Sequence, residues 1–428
     1  MRLAEVFTRL VGTDVPLAFS AYDGSSAGPA DAPVRLVVRS PLALSHLTAA
    51  PGELGLARAY VTGALDVEGD MYTALAAVKP IPLREIPPDV IRSVGPRMLA
   101  ARLWWPVGAP PQEHRQHGRR HSRRRDSRAI SHHYDVSNRF YEWVLGPSMA
   151  YTCAVYPTDR ASLEQAQYTK FDLVARKLGL RPGMRLLDVG CGWGGMVIHA
   201  ARHYGVRALG VTLSEQQAKW AQKAIADAGL TDLAEVRHSD YRDVTETGFD
   251  AISSIGLTEH IGQAQLPAYF QFLYDKLAPS GRLLNHTITR AQSARAQTGK
   301  FIGRYVFPDG ELESPGFIAT AIHDNGFELR NVENIREHYA KTLTAWCANL
   351  EKHWTEAVRE VGPGTARVWR LYMAGSRLAF ERNEIELHQY LAVKLDGARS
   401  GMPLRPDWEP PLIDPAGPVR GPGSDRVR

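Results

Sequence analysis

The sequence predicts an α/β protein, a doubly wound, Rossmann-like sheet with helical additions, preceded by a small N-terminal α+β domain. Three observations carry this. Short apolar runs alternate with helix-length amphipathic segments from residue 163 to about residue 288. A glycine-rich turn, Gly190-Cys-Gly-Trp-Gly-Gly195, lies where the first of those runs passes into a helix. The chain has 428 residues, of which 44% are hydrophobic and 23% charged, enough for two or three compact units with sizeable cores. Wholesale disorder is excluded.

The first hundred residues mix short apolar runs such as Val34-Arg-Leu-Val-Val38 with turn signals and a helix over 53–62. They form the N-terminal domain, 1–105. Pro106, Pro110 and Pro111 open a Pro/Arg-rich linker, 106–130, whose composition predicts a mobile or surface-bound segment. The second and larger domain spans 131–413. Within it a helix over 165–178 ends at Gly179, and strands are predicted over 185–189, 208–212, 234–238, 249–254 and 282–288. Helices over 196–204 and 215–228 separate the first three. This alternation predicts a parallel sheet. Beyond about Thr289 the chain is predicted to be mostly helical as far as Asp396, and residues 414–428 to be a disordered tail.

Glycines at a strand-to-helix turn let the backbone approach a ligand at the carboxyl ends of the strands. A GxGxG pattern alone serves dinucleotides as well, and a tight turn without ligand is the plain alternative. Three details favour S-adenosylmethionine over NAD. Asp188 precedes Gly190, where a carboxylate can face a cationic ligand; the pattern Gly190, Gly192, Gly194 lacks the later glycine of the dinucleotide form; and Asp240-Tyr241 follows the third strand, where an adenine is usually met. Thr212 ends the second strand in place of the acidic residue that commonly holds a ribose, and Gln217 is the substitute, with Leu213 between them.

The sequence resembles the cyclopropane-fatty-acyl-phospholipid synthases and mycolic acid methyltransferases. The resemblance rests on His132-His-Tyr-Asp-Val-Ser-Asn138, Ser148-Met-Ala-Tyr-Thr-Cys-Ala154, Leu187-Asp-Val-Gly-Cys-Gly-Trp-Gly-Gly195, Val211-Thr-Leu-Ser-Glu-Gln-Gln217, Ser254-Ile-Gly-Leu-Thr-Glu-His260, His286-Thr-Ile288, Arg304-Tyr-Val-Phe-Pro308 and His338-Tyr-Ala340. These cover residues 131–383, and 55–75 resembles the family's N-terminal lipid-binding domain. The resemblance implies a class I methyltransferase sheet and methyl transfer from S-adenosylmethionine to the cis double bond of an unsaturated phospholipid acyl chain. It further implies a bicarbonate ion serving as base, held by Cys153, Glu259, His286, Ile288 (through its backbone) and Tyr339, with Tyr134, Tyr151 and Thr152 closing over the cofactor.

Such chemistry needs no deprotonated side-chain nucleophile. An alkene attacks the sulfonium methyl directly, so the protein must align the two, exclude water and accommodate a carbocation until a proton leaves. Proton loss with ring closure gives a cyclopropane, whereas a hydride shift first gives an exocyclic methylene. Thr258 and Thr289 stand where cyclopropane synthases are associated with Phe and Gly, and the likeness is greatest to actinobacterial enzymes making 10-methylene chains. A cyclopropane synthase is the alternative; a small-molecule methyltransferase and a non-catalytic lipid-binding scaffold are the rivals from further afield. A saturated branch would need a separate reductase, because the chain has no second nucleotide-binding loop. A homo-oligomer is compatible with all of this.

The formal charge of +5 is local. Residues 113–128 carry seven arginines against Glu113 and Asp126, a balance of +5, and the rest of the chain is close to neutral. Attraction to an anionic leaflet is the functional reading of that run, a solvated linker the plain one. Nucleic acid is disfavoured because no aromatic residues interleave the arginines. The three cysteines, Cys153, Cys191 and Cys347, make neither a disulfide framework nor a CxxC metal pair, and His132 and His133 have no partner cluster for a metal. With no apolar run of spanning length and no signal peptide, the expected location is cytoplasmic, peripheral on the inner face of the membrane.

Overall fold

The computed structural model describes residues 1–78, 86–90, 92–93, 107–114, 120, 125, 137–291 and 299–408. The N-terminal part contains α1 (Leu3–Val11), β1 (Leu17–Ala21), β2 (Ser26–Ala27), β3 (Val34–Val38), α2 (Leu42–Ala49), α3 (Glu53–Val61), β4 (Leu65–Glu68) and α4 (Met71–Ala77). Its strands form one sheet in the order β2-β1-β3-β4, with β1 and β3 parallel and the outer pairs antiparallel. Alternating residues such as Leu17, Phe19, Val34 and Val67 meet Ala59, Tyr60 and Met71 in a small core.

The larger part begins with α5 (Asn138–Leu145) and α6 (Leu163–Leu178), then β5 (Arg185–Val189), α7 (Gly195–Tyr204), β6 (Arg207–Thr212), α8 (Glu215–Asp227), β7 (Ala234–His238) and β8 (Phe249–Ile255). Next come α9 (Leu266–Lys276), β9 (Leu277–Arg290), α10 (Lys300–Tyr305), α11 (Pro315–Asp324), β10 (Phe327–Asn334), α12 (Arg336–Lys352), α13 (Trp354–Val361), α14 (Pro363–Glu381) and β11 (Ile385–Lys394). Helix α6 starts at a capping box in which Ser162 and Gln165 satisfy each other's backbone N–H groups, and it stops at the left-handed Gly179. The seven strands lie in the order β10-β11-β9-β8-β5-β6-β7. Strands β7, β6, β5, β8 and β9 are parallel neighbours, as predicted.

The region after Thr289 departs from the helical expectation. Strands β10 and β11 extend the sheet, β11 running antiparallel to both β9 and β10. The run Tyr390-Leu-Ala-Val393 is buried because β11 lies between two strands, and helices α12 to α14 fill the interval before it. Apolar cores cover both faces of the sheet: Val174, Leu178, Val197 and Ala200 on one, Phe270, Leu273, Ile318 and Ile322 on the other. No helix among the described residues is long and apolar enough to cross a membrane.

Helix α14 joins the two parts. Trp369, Tyr372 and Met373 enter the core of the larger part while Ala374 enters the N-terminal core. From the same helix, Arg367 donates to the carbonyl of Tyr60 and to Asp66, and Arg370 to the carbonyls of Val67 and Gly69. The segment 107–114 is tied down where a mobile linker is expected. Glu113 is buried and accepts two hydrogen bonds from Arg58, at 2.6 and 2.8 Å, and one from Arg304 at 3.2 Å. A carboxylate with two guanidinium partners holds its segment against the body. Arg125 and the exposed Arg120 pair with Asp309. Arg115, Arg119, Arg123, Arg124, Arg128, His132 and His133, like the tail, lie outside the described residues.

Removing one partner of a buried pair leaves the other charge uncompensated. Glu113→Ala is therefore expected to cost about 3 kcal/mol of unfolding free energy, read from urea denaturation. A change under about 0.5 kcal/mol, the level of an ordinary surface substitution, would show that Arg58 finds other partners.

Candidate active site

A cavity opens at the carboxyl ends of β5, β6 and β8. Tyr151, Thr152, Lys170, Asp188, Gly190 and Gly192 line it, together with Thr212, Leu213, Gln217, Tyr241 and Arg242. Nine of the cofactor candidates thus face one space; Gly194 and Asp240 do not line it but are chain neighbours of Trp193 and Tyr241, which do, and Tyr134 lies outside the described residues. Gly190 and Gly192 hold φ at +75° and +55°, the left-handed conformation that keeps the loop tight. Gly194 serves differently. It caps α7 at φ +80°, and a Cβ there would sit 3.1 Å from Ala221 Cβ, so its smallness lets two helices pack. The Asp240 carboxylate takes hydrogen bonds from the backbone N–H and guanidinium of Arg242, and Arg242 lines the cavity.

Gln217 stands in the substitute position expected of it. Its Oε1 accepts from the Thr212 hydroxyl at 2.7 Å, which leaves the amide N–H groups turned toward Gly192. Asp188 is buried and accepts from the Ser253 hydroxyl at 2.6 Å. Burial raises its pKa to about 6, against the opposing hydrogen bond and the nearby Lys170. Lys170 was not singled out in the sequence. It lies on the buried stripe of α6 between Ala166 and Val174, its ammonium donates to the Thr152 hydroxyl at 2.9 Å, and burial pulls its pKa down to about 7. A lysine at i+4 from one apolar position and i−4 from another is the signal that marks it.

Beyond this cavity lie the five residues expected to hold an anion. Glu259 follows β8 in a short turn, and its Oε1 accepts from the backbone N–H of Ile288 at 2.6 Å. Its Oε2 is buried without a partner. Burial raises the Glu259 pKa to about 7. His286 shares a face of β9 with Ile288. Its Nδ1 meets the Gln389 amide nitrogen at 3.2 Å, its Nε2 is buried without a partner, and burial takes its pKa well below the usual range. The Ile288 N–H is thus committed to Glu259. Cys153 stays a thiol, since burial pushes its pKa far up, and its S–H faces the carbonyl of Ala154 at 3.2 Å. Tyr339 lies in the adjoining core, its ring 4.5 Å from that of Phe380.

That core is aromatic to an unusual degree. Tyr151 packs 5.3 Å from Trp346 and 5.6 Å from Trp369; Trp369 and Phe307 each pack 5.7 Å from Tyr372. The Tyr151 and Tyr372 hydroxyls are hydrogen-bonded at 3.0 Å. Tyr372, whose pKa burial raises to about 12 with a contribution from Glu259, is a second site residue that sequence reading missed. Among the described residues no group of His, Cys, Asp and Glu is placed to hold a metal ion.

The family description "Mycolic acid cyclopropane synthetase" matches residues 121–390. A probable fatty acid methyltransferase of Mycobacterium tuberculosis is 54% identical over 96% of this chain and 99% of its own length. The chain belongs to the mycolic acid cyclopropane synthetase family. A probable fatty acid methyltransferase of Pseudomonas putida is 39% identical, over 92% of this chain and 95% of its own. Among solved structures, the cyclopropane synthase MmaA2 of Mycobacterium tuberculosis is 32% identical with a TM-score of 0.60, covering 63% of this chain and 98% of that one. The mycolic acid cyclopropane synthase CmaA1 complexed with SAH and CTAB matches with the same identity and coverage and a TM-score of 0.59. This member of the cyclopropane synthetase family is thus an S-adenosylmethionine-dependent methyltransferase on a class I sheet, acting in fatty acid modification.

The two glycines make a contrast that calorimetry and thermal melting can read. A side chain at either left-handed position costs about 1–2 kcal/mol of backbone strain. Gly192→Ala, whose Cβ meets only Gln217 Nε2 at 4.0 Å, is expected to lower affinity for S-adenosylhomocysteine about tenfold. Gly194→Ala is expected to melt earlier with affinity nearly unchanged.

Proposed function

We propose that this methyltransferase methylates the cis double bond of an oleoyl-type phospholipid acyl chain and releases a 10-methylene product. The observation that carries the reading is that Glu259 Oε2 and His286 Nε2 are both buried without a hydrogen-bond partner, close to the Ile288 end of β9, which packs against the aromatic core. Buried polar atoms are nearly always satisfied, so such a pair marks the place of a small polar partner. The donor set fits bicarbonate: burial keeps His286 neutral and raises the Glu259 pKa to about 7, toward its protonated form. A protonated carboxyl can donate to an anion that a carboxylate would repel. When bound there, bicarbonate supplies a base for the proton that leaves the methylated chain.

The chain's own residues do the rest. Asp188 and Gln217 offer a carboxylate and an amide to a cationic, ribose-bearing cofactor. Tyr151, Trp346, Trp369 and Tyr372 pack into an aromatic cluster, and aromatic rings attract a cation without offering it a strong nucleophile. Burial keeps the Cys153 thiol protonated, so it too is a poor trap for a carbocation. The N-terminal part would handle the lipid, and the arginine run would draw the protein to the cytoplasmic face of an anionic membrane.

Lipids from an oleate-rich host expressing the protein are expected to gain one CH2 per modified chain. Ozonolysis then separates the products, since a methylene is cleaved to a ketone and a cyclopropane is not; an uncleaved product would replace the methylene with the cyclopropane reading. Glu259→Gln and His286→Ala are each expected to lower turnover about a hundredfold while S-adenosylhomocysteine affinity holds. Full turnover in both would remove these residues from the reaction. Neutralising Arg119, Arg120, Arg123, Arg124 and Arg125 is expected to weaken sedimentation with anionic vesicles at low salt, and unchanged sedimentation would reject the membrane role of that run.

A further inference from the structure

A row of polar side chains crosses the sheet beside the Glu259–His286 wall. In register, Glu333 on β10 stands opposite Gln389 on β11, and Gln389 opposite His286 on β9. Lys177 of α6 lies against this row, fully buried, and donates to Gln389 Oε1 at 2.8 Å, to Asn331 Oδ1 at 3.3 Å and to the Glu333 carboxylate. Gln389 Nε2 then faces His286 Nδ1 at 3.2 Å. Nothing in the anion-site reading requires Lys177 or Gln389, yet a buried ammonium is costly unless it is paired and hydrogen-bonded.

The donor and acceptor inventory gives the row a direction. An ammonium has only donors, so the amide must turn its oxygen to Lys177 and its N–H groups to the imidazole. The ring nitrogen facing an N–H donor must be an acceptor, so it carries no proton. His286 is neutral in this dry setting, and its single proton is therefore on Nε2, the atom that points away from the row and has no partner.

We propose that Lys177 and Gln389 are positioning residues that lock His286 in the Nε2–H tautomer, so that β9 offers an N–H donor to an anion beside Glu259. The anion itself rests on the reading proposed above; the lock does not. The neutral tautomers of a histidine ring are close in energy, and a buried ring without this row would populate both, lowering the fraction able to donate from Nε2. The wrong tautomer would place an acceptor lone pair against the anion's oxygen.

The test is nitrogen NMR of the full chain labelled in its histidine side chains, with His286→Gln used to assign the signal. The expected spectrum has a pyrrole-type Nε2 and a pyridine-type Nδ1. Gln389→Glu, of nearly the same shape, puts acceptors where the amide donor was, and is expected to move the proton to Nδ1 and to lower turnover about a hundredfold. Lys177→Met frees the amide to turn and is expected to give a mixed spectrum, with Lys177→Arg restoring the wild-type one. S-adenosylhomocysteine affinity should hold throughout, which separates the effect from general damage to the fold. A pyrrole-type Nδ1 in the wild type, or a spectrum that neither Gln389→Glu nor Lys177→Met alters, would overturn the lock. A proton that moves in Gln389→Glu while the response of turnover to added bicarbonate stays at the wild-type level would uphold the lock and overturn the anion reading instead.

Discussion

Desolvation is the constraint on which the site depends. Asp188, Lys170, Glu259 and His286 are all nearly inaccessible to water, and burial is the largest influence on each. It favours neutral forms, raising the two carboxyls and lowering the two bases. Asp188 and Lys170 consequently approach neutral pH from opposite sides, at about 6 and about 7. A sulfonium entering their cavity selects among these states. It favours the Asp188 carboxylate and the neutral Lys170 amine, the forms that a neighbouring positive charge stabilises.

The same constraint explains how the two parts are joined. Glu113 could not be buried alone; the Arg58 fork and Arg304 make it tolerable, and between them they bind α3, the segment before residue 115 and α10 into one arrangement. Helix α14 adds apolar contact on both sides and a line of arginines directed at backbone carbonyls of the N-terminal sheet. Tyr372, which touches the reactive wall, and Ala374, which touches the N-terminal core, are two residues apart on that helix. A lipid held by the N-terminal part would therefore lie against the same element that shapes the site.

The parallel half of the sheet was legible because each strand is a short apolar run ended by glycine or a polar turn, and because glycines at 190 and 192 signal a left-handed loop. The antiparallel half was not. Strand β11 is a run like the others, but it follows three helices without a crossover of its own, so local pattern alone could not say that it inserts between β9 and β10. Its loss from the sequence reading hid the polar row, since Gln389 meets His286 only through that insertion. Lys170 and Lys177 were hidden for another reason: a lysine in an amphipathic helix reads as solvated unless its place on the apolar stripe is weighed. Asp240 and Gly194 were legible as important, but spacing fixes where a residue stands and not which way its bonds run.

The two threonines that set this chain apart from the cyclopropane pattern belong to that last class. Thr289 alternates with Ile288 along β9 and so faces away from it, and its hydroxyl is bonded to His388 Nδ1 at 2.8 Å. Thr258 precedes Glu259, but its hydroxyl donates to Asn285 Oδ1 at 2.6 Å, and Asn285 also lies on the face of β9 opposite His286. Both substitutions therefore fasten the back of the strand whose front carries His286 and Ile288. Both hydrogen bonds are buried, and each ties a side chain of β9 to a neighbouring element. Any influence they have on which proton leaves the cation must pass through the position of β9, and hence through the Ile288 N–H that aims Glu259.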